Sequence, residues 1–175
     1  MSAPEPGAGP VVGPAFARVM AAYNAEMNRR VYAAAATLTE AQRRQDRGAF
    51  WGSIHGTLAH VLWADRLWLF RFGAGADPGL PLRDSATWIE AWPTLAAERR
   101  VTDARLAEWA DGLAADDLSG DLAWFSGAKQ RDMATPRALV VAHIFNRQTH
   151  HRGQVHALLT ASGAATGDTD LPFVL

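Results

Sequence analysis

The sequence has no cysteine, only one lysine (Lys129) among 17 basic residues, and no long uncharged apolar run. Without cysteine the chain can form no disulfide, thiolate zinc site or thiol nucleophile, so metal or acid–base chemistry must use His, Asp and Glu. The formal net charge of −1, with arginines scattered among acidic residues, offers no basic surface for nucleic acid. The lack of long apolar runs and of a secretory signal predicts a cytoplasmic protein with no membrane partner.

The composition is typical of one globular domain. The chain has 175 residues, of which 49% are hydrophobic and 20% charged, enough for one sizeable core but too short for two ordinary domains. Residues 1–13 are rich in Pro, Gly and Ala and have little to bury. We therefore expect a flexible tail over 1–13 and a single domain over 14–175.

Apolar residues recur at helical spacings of three and four in four segments. These segments are 14–37, 53–73, 85–113 and 135–163. Ser53 is a candidate N-cap for the second, and Thr135 followed by Pro136 predicts the start of the last. Pro93 in the third either kinks the helix or marks a later start.

Between 114 and 135 the helical pattern fails, which predicts a long loop, with a short hairpin around Ser126 and Gly127 as the alternative. Four amphipathic helices without clear strands favour an all-α fold, a four-helix bundle, with its chemistry between facing helices. The C-terminal DTDLPFVL is apolar enough to pack on the bundle or to cover a partner subunit.

Four of the six histidines lie in HIFNRQTHHRGQVH, residues 143–156. His143 and His151 are roughly 12 Å apart along a helix, too far for one metal ion. The position one turn before His151 holds Arg147, whose guanidinium has no lone pair to bind a cation. We expect His150, a quarter turn from His151, to face a different target.

The other histidines allow more than one interpretation. His60, on the apolar second helix, is either a core residue with one hydrogen bond or an inward-facing functional group. Asp65, just over one turn on, forms an internal ion pair or lies at a solvated edge, or else it orients an imidazole. His55 and His156 are interpreted as structural, at the beginning and near the end of their helices.

Three blocks carry a resemblance to a known family: YNAEMNRR, GAFWGSIHGTLAHVLWADRLWLFRF and HIFNRQTHHRGQVHALL. They resemble the DinB family, the damage-inducible branch of the DinB/YfiT-like metalloenzyme superfamily. The resemblance implies a four-helix bundle, often a homodimer, in which three histidines hold zinc or nickel. Two of these ligands fall on His60 and His151. The third falls on position 147, where the family's FNHQTHHRGQ reads FNRQTHHRGQ, and Arg152 and Gln154 of the motif are retained.

Three functions follow from this pattern. The first is a metal-dependent hydrolase or thiol transferase acting on an unidentified small molecule, with coordination weakened at Arg147 and Gln154 or Asp65 as a replacement ligand. The second is a metal-free protein in which Arg147, His60 and His151 bind a carboxylate or phosphate. The third is a non-catalytic dimeric helical module. The sequence leaves open whether the protein is an enzyme.

Overall fold

The computed structural model describes residues 10–175, so residues 1–9 of the predicted tail lie outside the described part. The described chain is mostly helical, with one small sheet. Its elements are α1 (Pro14–Ala36), α2 (Glu40–Arg44), α3 (Ile54–Arg71), α4 (Trp92–Gly112), β1 (Asp121–Ser126), β2 (Arg131–Pro136), α5 (Arg137–Ala161) and α6 (Leu171–Val174). None of the helices described is long and apolar enough to cross a membrane.

The predicted beginnings of the first two long helices are confirmed. α1 begins at Pro14, where a missing N–H costs nothing because the first helical amides have no intrahelical acceptor. α3 follows Ser53, whose side chain accepts a hydrogen bond from the Gly56 amide at 3.0 Å. This cap fixes the start of the helix that carries His60.

The third long helix starts later than its predicted segment. α4 begins at Trp92, with Pro93 in the first turn, so the later start is correct and the kink is not. The preceding residues Leu82–Asp84 form a 3-10 turn, and Ser85 is fully buried. The loop thereby brings a hydroxyl against α3.

The long loop predicted before the last helix is instead a β-hairpin, the alternative that the sequence allowed. β1 and β2 pair antiparallel, with Ser126 opposite Arg131. Leu122 is buried with Val140 and Ile144 of α5, so the hairpin packs on the helices. An exclusively α-helical chain was therefore the wrong expectation.

The predicted start of the last helix is also wrong. Thr135 and Pro136 end β2, and α5 begins at Arg137 without a side-chain cap. Pairing across the hairpin places Thr135 opposite Leu122, and these sheet contacts take the place of a helix cap.

The C-terminal segment packs partly against α1. Tyr23 donates a hydrogen bond to the Thr169 carbonyl, and Arg30 donates to the Asp168 carbonyl at 3.2 Å. Phe173, however, is 73% exposed. The polar part of the segment lies against α1, whereas its apolar end faces outward in the single chain.

Candidate functional site

His60 lies on α3 in a tightly packed setting. It is 5% exposed and its ring stacks on Trp51, with centroids 3.9 Å apart. Nδ1 lies 2.8 Å from the Ser85 hydroxyl, which donates its own proton to the Leu82 carbonyl. The Ser85 oxygen is thus left to accept from Nδ1–H, so Nε2 carries the free lone pair.

The guanidinium of Arg147, on α5, faces that lone pair. Its Nη1 donates to His60 Nε2 at 3.3 Å, and its Nη2 donates to Asp65 Oδ1 at 3.1 Å. Burial and the nearby Arg147 charge lower the pKa of His60 to about 3, because both disfavour an imidazolium. At neutral pH a neutral imidazole therefore meets a permanent cation.

His151 completes this cluster from the next turn of α5. Its ring centroid lies 5.0 Å from that of His60, edge to face. Its Nδ1 contacts Gln154 Oε1 at 2.9 Å, while Gln154 Nε2 contacts His150 at 3.2 Å. His150 and His151 therefore share Gln154, contrary to the expectation of separate targets, because Gln154 lies within one turn of both. The contact with an amide oxygen leaves His151 Nε2 as an acceptor.

The remaining histidines lie outside the cluster. His143 is exposed, with its ring centroid 5.5 Å from that of Trp68. His55 is 1% exposed, and its Nε2 lies 2.7 Å from the Ile89 carbonyl. His156 Nε2 lies 3.4 Å from the Thr166 hydroxyl.

Asp65 links the cluster to the interior. It is fully buried and also accepts from Arg99 Nη1 at 2.7 Å. Of the alternatives left open for Asp65, the structure shows the internal ion pair, and it is Ser85 that contacts Nδ1 of His60. Arg99 Nη2 in turn lies 2.8 Å from Asp103 Oδ1.

Asp103 and two asparagines extend these contacts to α1. Asn24 and Asn28 donate to Asp103 Oδ1 at 3.2 and 2.8 Å. Arg152 donates to Asn24 Oδ1. Four of these residues were not predicted from the sequence: Asn24, Asn28, Arg99 and Asp103. Their signal was two polar pairs at i and i+4, each on one face of a helix.

We call these side chains the buried ionic network. Its members are Asn24, Asn28, Asp65, Arg99, Asp103, Arg147 and Arg152. Three guanidiniums face two carboxylates within it, which leaves one excess positive charge when all are ionised. Arg147 has the most exposed of the three guanidinium side chains, at 14%. Arg147 is therefore the guanidinium of the network nearest to solvent, and it lies beside His60.

The donor set does not match a three-histidine metal centre. Within residues 10–175, no group of three or more His, Asp or Glu side chains could hold a metal ion. A zinc site needs three protein ligands with lone pairs, and a guanidinium has none. The buried Nε of Arg147 also has no hydrogen-bond partner in the part of the chain that the structure describes. The local chemistry around position 147 is that of a hydrogen-bond donor to anions.

Comparison with known proteins gives one family match and one similar solved structure. The model of the DinB family matches residues 14–175. A DinB-like protein from Bacillus cereus ATCC 10987 is similar in structure, with a TM-score of 0.62 and 17% sequence identity. The match covers 81% of this chain and 89% of that one. At this identity the likeness concerns the fold alone. No curated protein matches the sequence.

Proposed function

Because this chain belongs to the DinB family, we propose that it is a four-helix bundle of DinB/YfiT-like type whose metal position has become a metal-free site for a small anion. The observation that carries the proposal is the guanidinium of Arg147, which lies between His60 Nε2 and Asp65. A fixed cation there replaces the charge that a metal ion supplies in the family pattern.

Arg147 has hydrogen-bonding capacity to spare. A guanidinium carries five N–H groups, and two of its nitrogens, Nη1 and Nη2, each donate to one protein partner. Its counterion is shared, because Asp65 also binds Arg99. Arg147 therefore retains both charge and donors for a carboxylate or phosphate, which a guanidinium binds with two parallel hydrogen bonds.

His151 favours some carboxylates and phosphates over others. Its Nε2 is an acceptor beside the donors of Arg147, since Nδ1 is engaged with Gln154. An anion with its own O–H group, such as hydrogen phosphate or a hydroxy acid, would satisfy both. We expect such ligands to bind more tightly than acetate.

Calorimetric titration of the full chain with inorganic phosphate and with acetate tests the proposal. We expect phosphate to bind the unaltered protein, Arg147→Lys to bind it more weakly, and Arg147→Gln to lose it. Arg83→Gln is the matched control, because the Arg83 side chain is 83% exposed. Equal phosphate affinity in Arg147→Gln, or no binding by the unaltered protein, would contradict the proposal.

A second candidate is weak binding of zinc or nickel by His60 and His151. Its support is the 5.0 Å separation of their ring centroids, although Arg147 must first leave His60. Metal analysis of untagged protein separates the candidates. A stoichiometric ion, lost in His60→Ala, favours the metal; a content near zero after growth with added zinc favours the anion.

The chain is also proposed to act as a homodimer, as the family resemblance implies. Large apolar side chains are exposed on all four long helices: Phe16, Val19, Phe70, Val101 and Leu139. Light scattering during gel filtration checks the proposal, because one chain has a mass of 18.9 kDa. A dimer gives twice that mass, and a single-chain mass at micromolar concentration contradicts it.

A further inference from the structure

A second cleft lies between α1 and α5, apart from the His60 cluster. It encloses about 230 Å³, and its walls include Tyr23, Met27 and Val31 from α1. Arg152 and His156 line it from α5, and Thr169 of the C-terminal segment borders it. An apolar wall thus faces two nitrogen-bearing side chains across a small cleft.

The two nitrogen-bearing side chains each present an unpartnered atom. Arg152 is 4% exposed, and its Nη2 is buried without a protein partner within residues 10–175. Nδ1 of His156 is likewise buried without a protein partner within residues 10–175. Arg152 and His156 lie four residues apart on one helix, so their side chains are neighbours on the same face. Leaving a buried charged donor without a partner is costly.

The surroundings of Arg152 indicate the charge of a suitable ligand. Nη1 donates to the neutral Asn24, and the guanidinium carbon lies 5.6 Å from the ring centroid of Tyr23. No carboxylate contacts Arg152 directly within the described chain. Thr166, near His156 Nε2, can donate its hydroxyl proton there, which leaves Nδ1–H as a second donor. Two donors, one of them cationic, match one carboxylate.

We propose that this cleft binds a small organic acid, with its carboxylate on Arg152 Nη2 and His156 Nδ1 and its apolar body against Tyr23, Met27 and Val31. The volume is below the roughly 300–1,000 Å³ of ordinary ligand pockets, which excludes nucleotides and larger cofactors. This ligand differs from that of the Arg147 site because it must carry an apolar group.

The test is an amide NMR titration of the full chain with benzoate, with benzyl alcohol as its neutral counterpart. We expect benzoate to shift the amide signals of Gly153 and Thr169, and benzyl alcohol to bind at least about tenfold more weakly, since a charge-assisted hydrogen bond contributes more than about 1.4 kcal/mol. Equal affinity for both compounds overturns the carboxylate assignment, and no shift with benzoate overturns the site.

Gly153→Trp provides a blocking variant that keeps the network intact. Gly153 lines the cleft and is exposed, and a Cβ added there meets no atom within 4 Å. We expect the indole to reduce benzoate affinity at least tenfold. The matched control is Gly112→Trp, an exposed glycine at the end of α4 with equally open surroundings. Benzoate affinity in Gly153→Trp within twofold of that control overturns the proposal.

The two proposed sites fail independently. Arg147→Gln removes phosphate binding if the anion site is correct, but it changes no residue of the second cleft. We therefore expect benzoate to shift the Thr169 amide equally in Arg147→Gln and in the unaltered protein. Loss of the benzoate shifts in Arg147→Gln would mean that benzoate had reported the Arg147 site, and it would overturn the second cleft.

Discussion

Arg147 joins two groups of opposite character, the neutral imidazole of His60 and the buried carboxylate of Asp65. The lone pair of the imidazole could bind a metal ion, and the carboxylate is already paired with Arg99. The guanidinium of Arg147 occupies the lone pair and shares the carboxylate. A single substitution at position 147 therefore changes both the ligand chemistry and the charge of the interior.

Arg147→His is expected to create a metal site. It places a third imidazole one turn from His151 and beside His60, the arrangement that zinc helices use. Structural zinc sites with four ligands are worth roughly 10–16 kcal/mol, so one added ligand should contribute about 3 kcal/mol. We expect zinc and nickel to bind about 100-fold more tightly, as measured by calorimetry.

Arg83→His is the control for this change, because it adds a histidine at a position whose side chain is 83% exposed. Its zinc affinity should equal that of the unaltered protein. An Arg147→His protein that folds but binds zinc no better than this control contradicts the inferred convergence on position 147.

Asp103 is expected to titrate near pH 6, well above an ordinary aspartate. Burial raises its pKa to about 6, against the opposing effects of Arg99 and Asn28. The folded state then binds more protons than the unfolded state between about pH 3.8 and 6, so the contribution of Asp103 to stability falls as pH rises through this window. Carboxyl ¹³C NMR should give a midpoint near 6, and Asp103→Asn should remove this part of the pH dependence. A titration midpoint below pH 4 would contradict the raised pKa of Asp103.

The sequence predicted part of this site well. The family resemblance singled out His60, Arg147 and His151, and the fold brings them together; their ligand roles remain predictions. The partners of Asp103 could not be predicted, because Asn28 lies 75 residues away on another helix. Helical spacing shows which side chains share a face but not which two faces meet.

At the scale of the helix, the cap of Ser53 stabilises the first turn of α3, the helix that carries His60. Ser53→Ala removes the acceptor of the Gly56 amide, and loss of an N-cap side chain costs about 1 kcal/mol. We expect a decrease of that size in the free energy of unfolding, measured with urea. Ser119→Ala is the control, since Ser119 is exposed and caps no long helix. Equal effects of the two substitutions would contradict the role of the cap.

The end of the hairpin shows why one helix boundary was mispredicted. Thr135–Pro136 has the chemistry of a helix start, but the same residues pair with β1 through Leu122 and Asp121. A local sequence pattern shows which secondary structures a segment can form. Pairing with a neighbouring strand determines which of them it adopts. Ser53 had no such competitor, and its predicted cap is confirmed.

Over the whole molecule, the buried ionic network connects the four long helices. Asn28 of α1 contacts Asp103 of α4, Arg99 of α4 contacts Asp65 of α3, and Asp65 contacts Arg147 of α5. Buried charges of this kind stabilise a fold weakly when intact but cost several kcal/mol when one partner is removed. The network therefore penalises any arrangement in which one helix is displaced.

A double-mutant cycle between Asn28→Ala and Asp65→Asn tests this connection. We expect Asp65→Asn to cost about 3–5 kcal/mol, because two buried guanidiniums lose their shared carboxylate, and Asn28→Ala about 1–3 kcal/mol. No hydrogen bond joins these two described residues, yet Asn28 binds Asp103 and Asp65 binds Arg99, and Arg99 and Asp103 form an ion pair. Urea unfolding of the double variant should therefore depart from additivity by at least about 0.5 kcal/mol. Asp65→Asn combined with Ser119→Ala should be additive, since Ser119 is outside the network. If the first pair were equally additive, the helices would be held by independent contacts, and the ion pair of Arg147 with Asp65 would act only between α3 and α5.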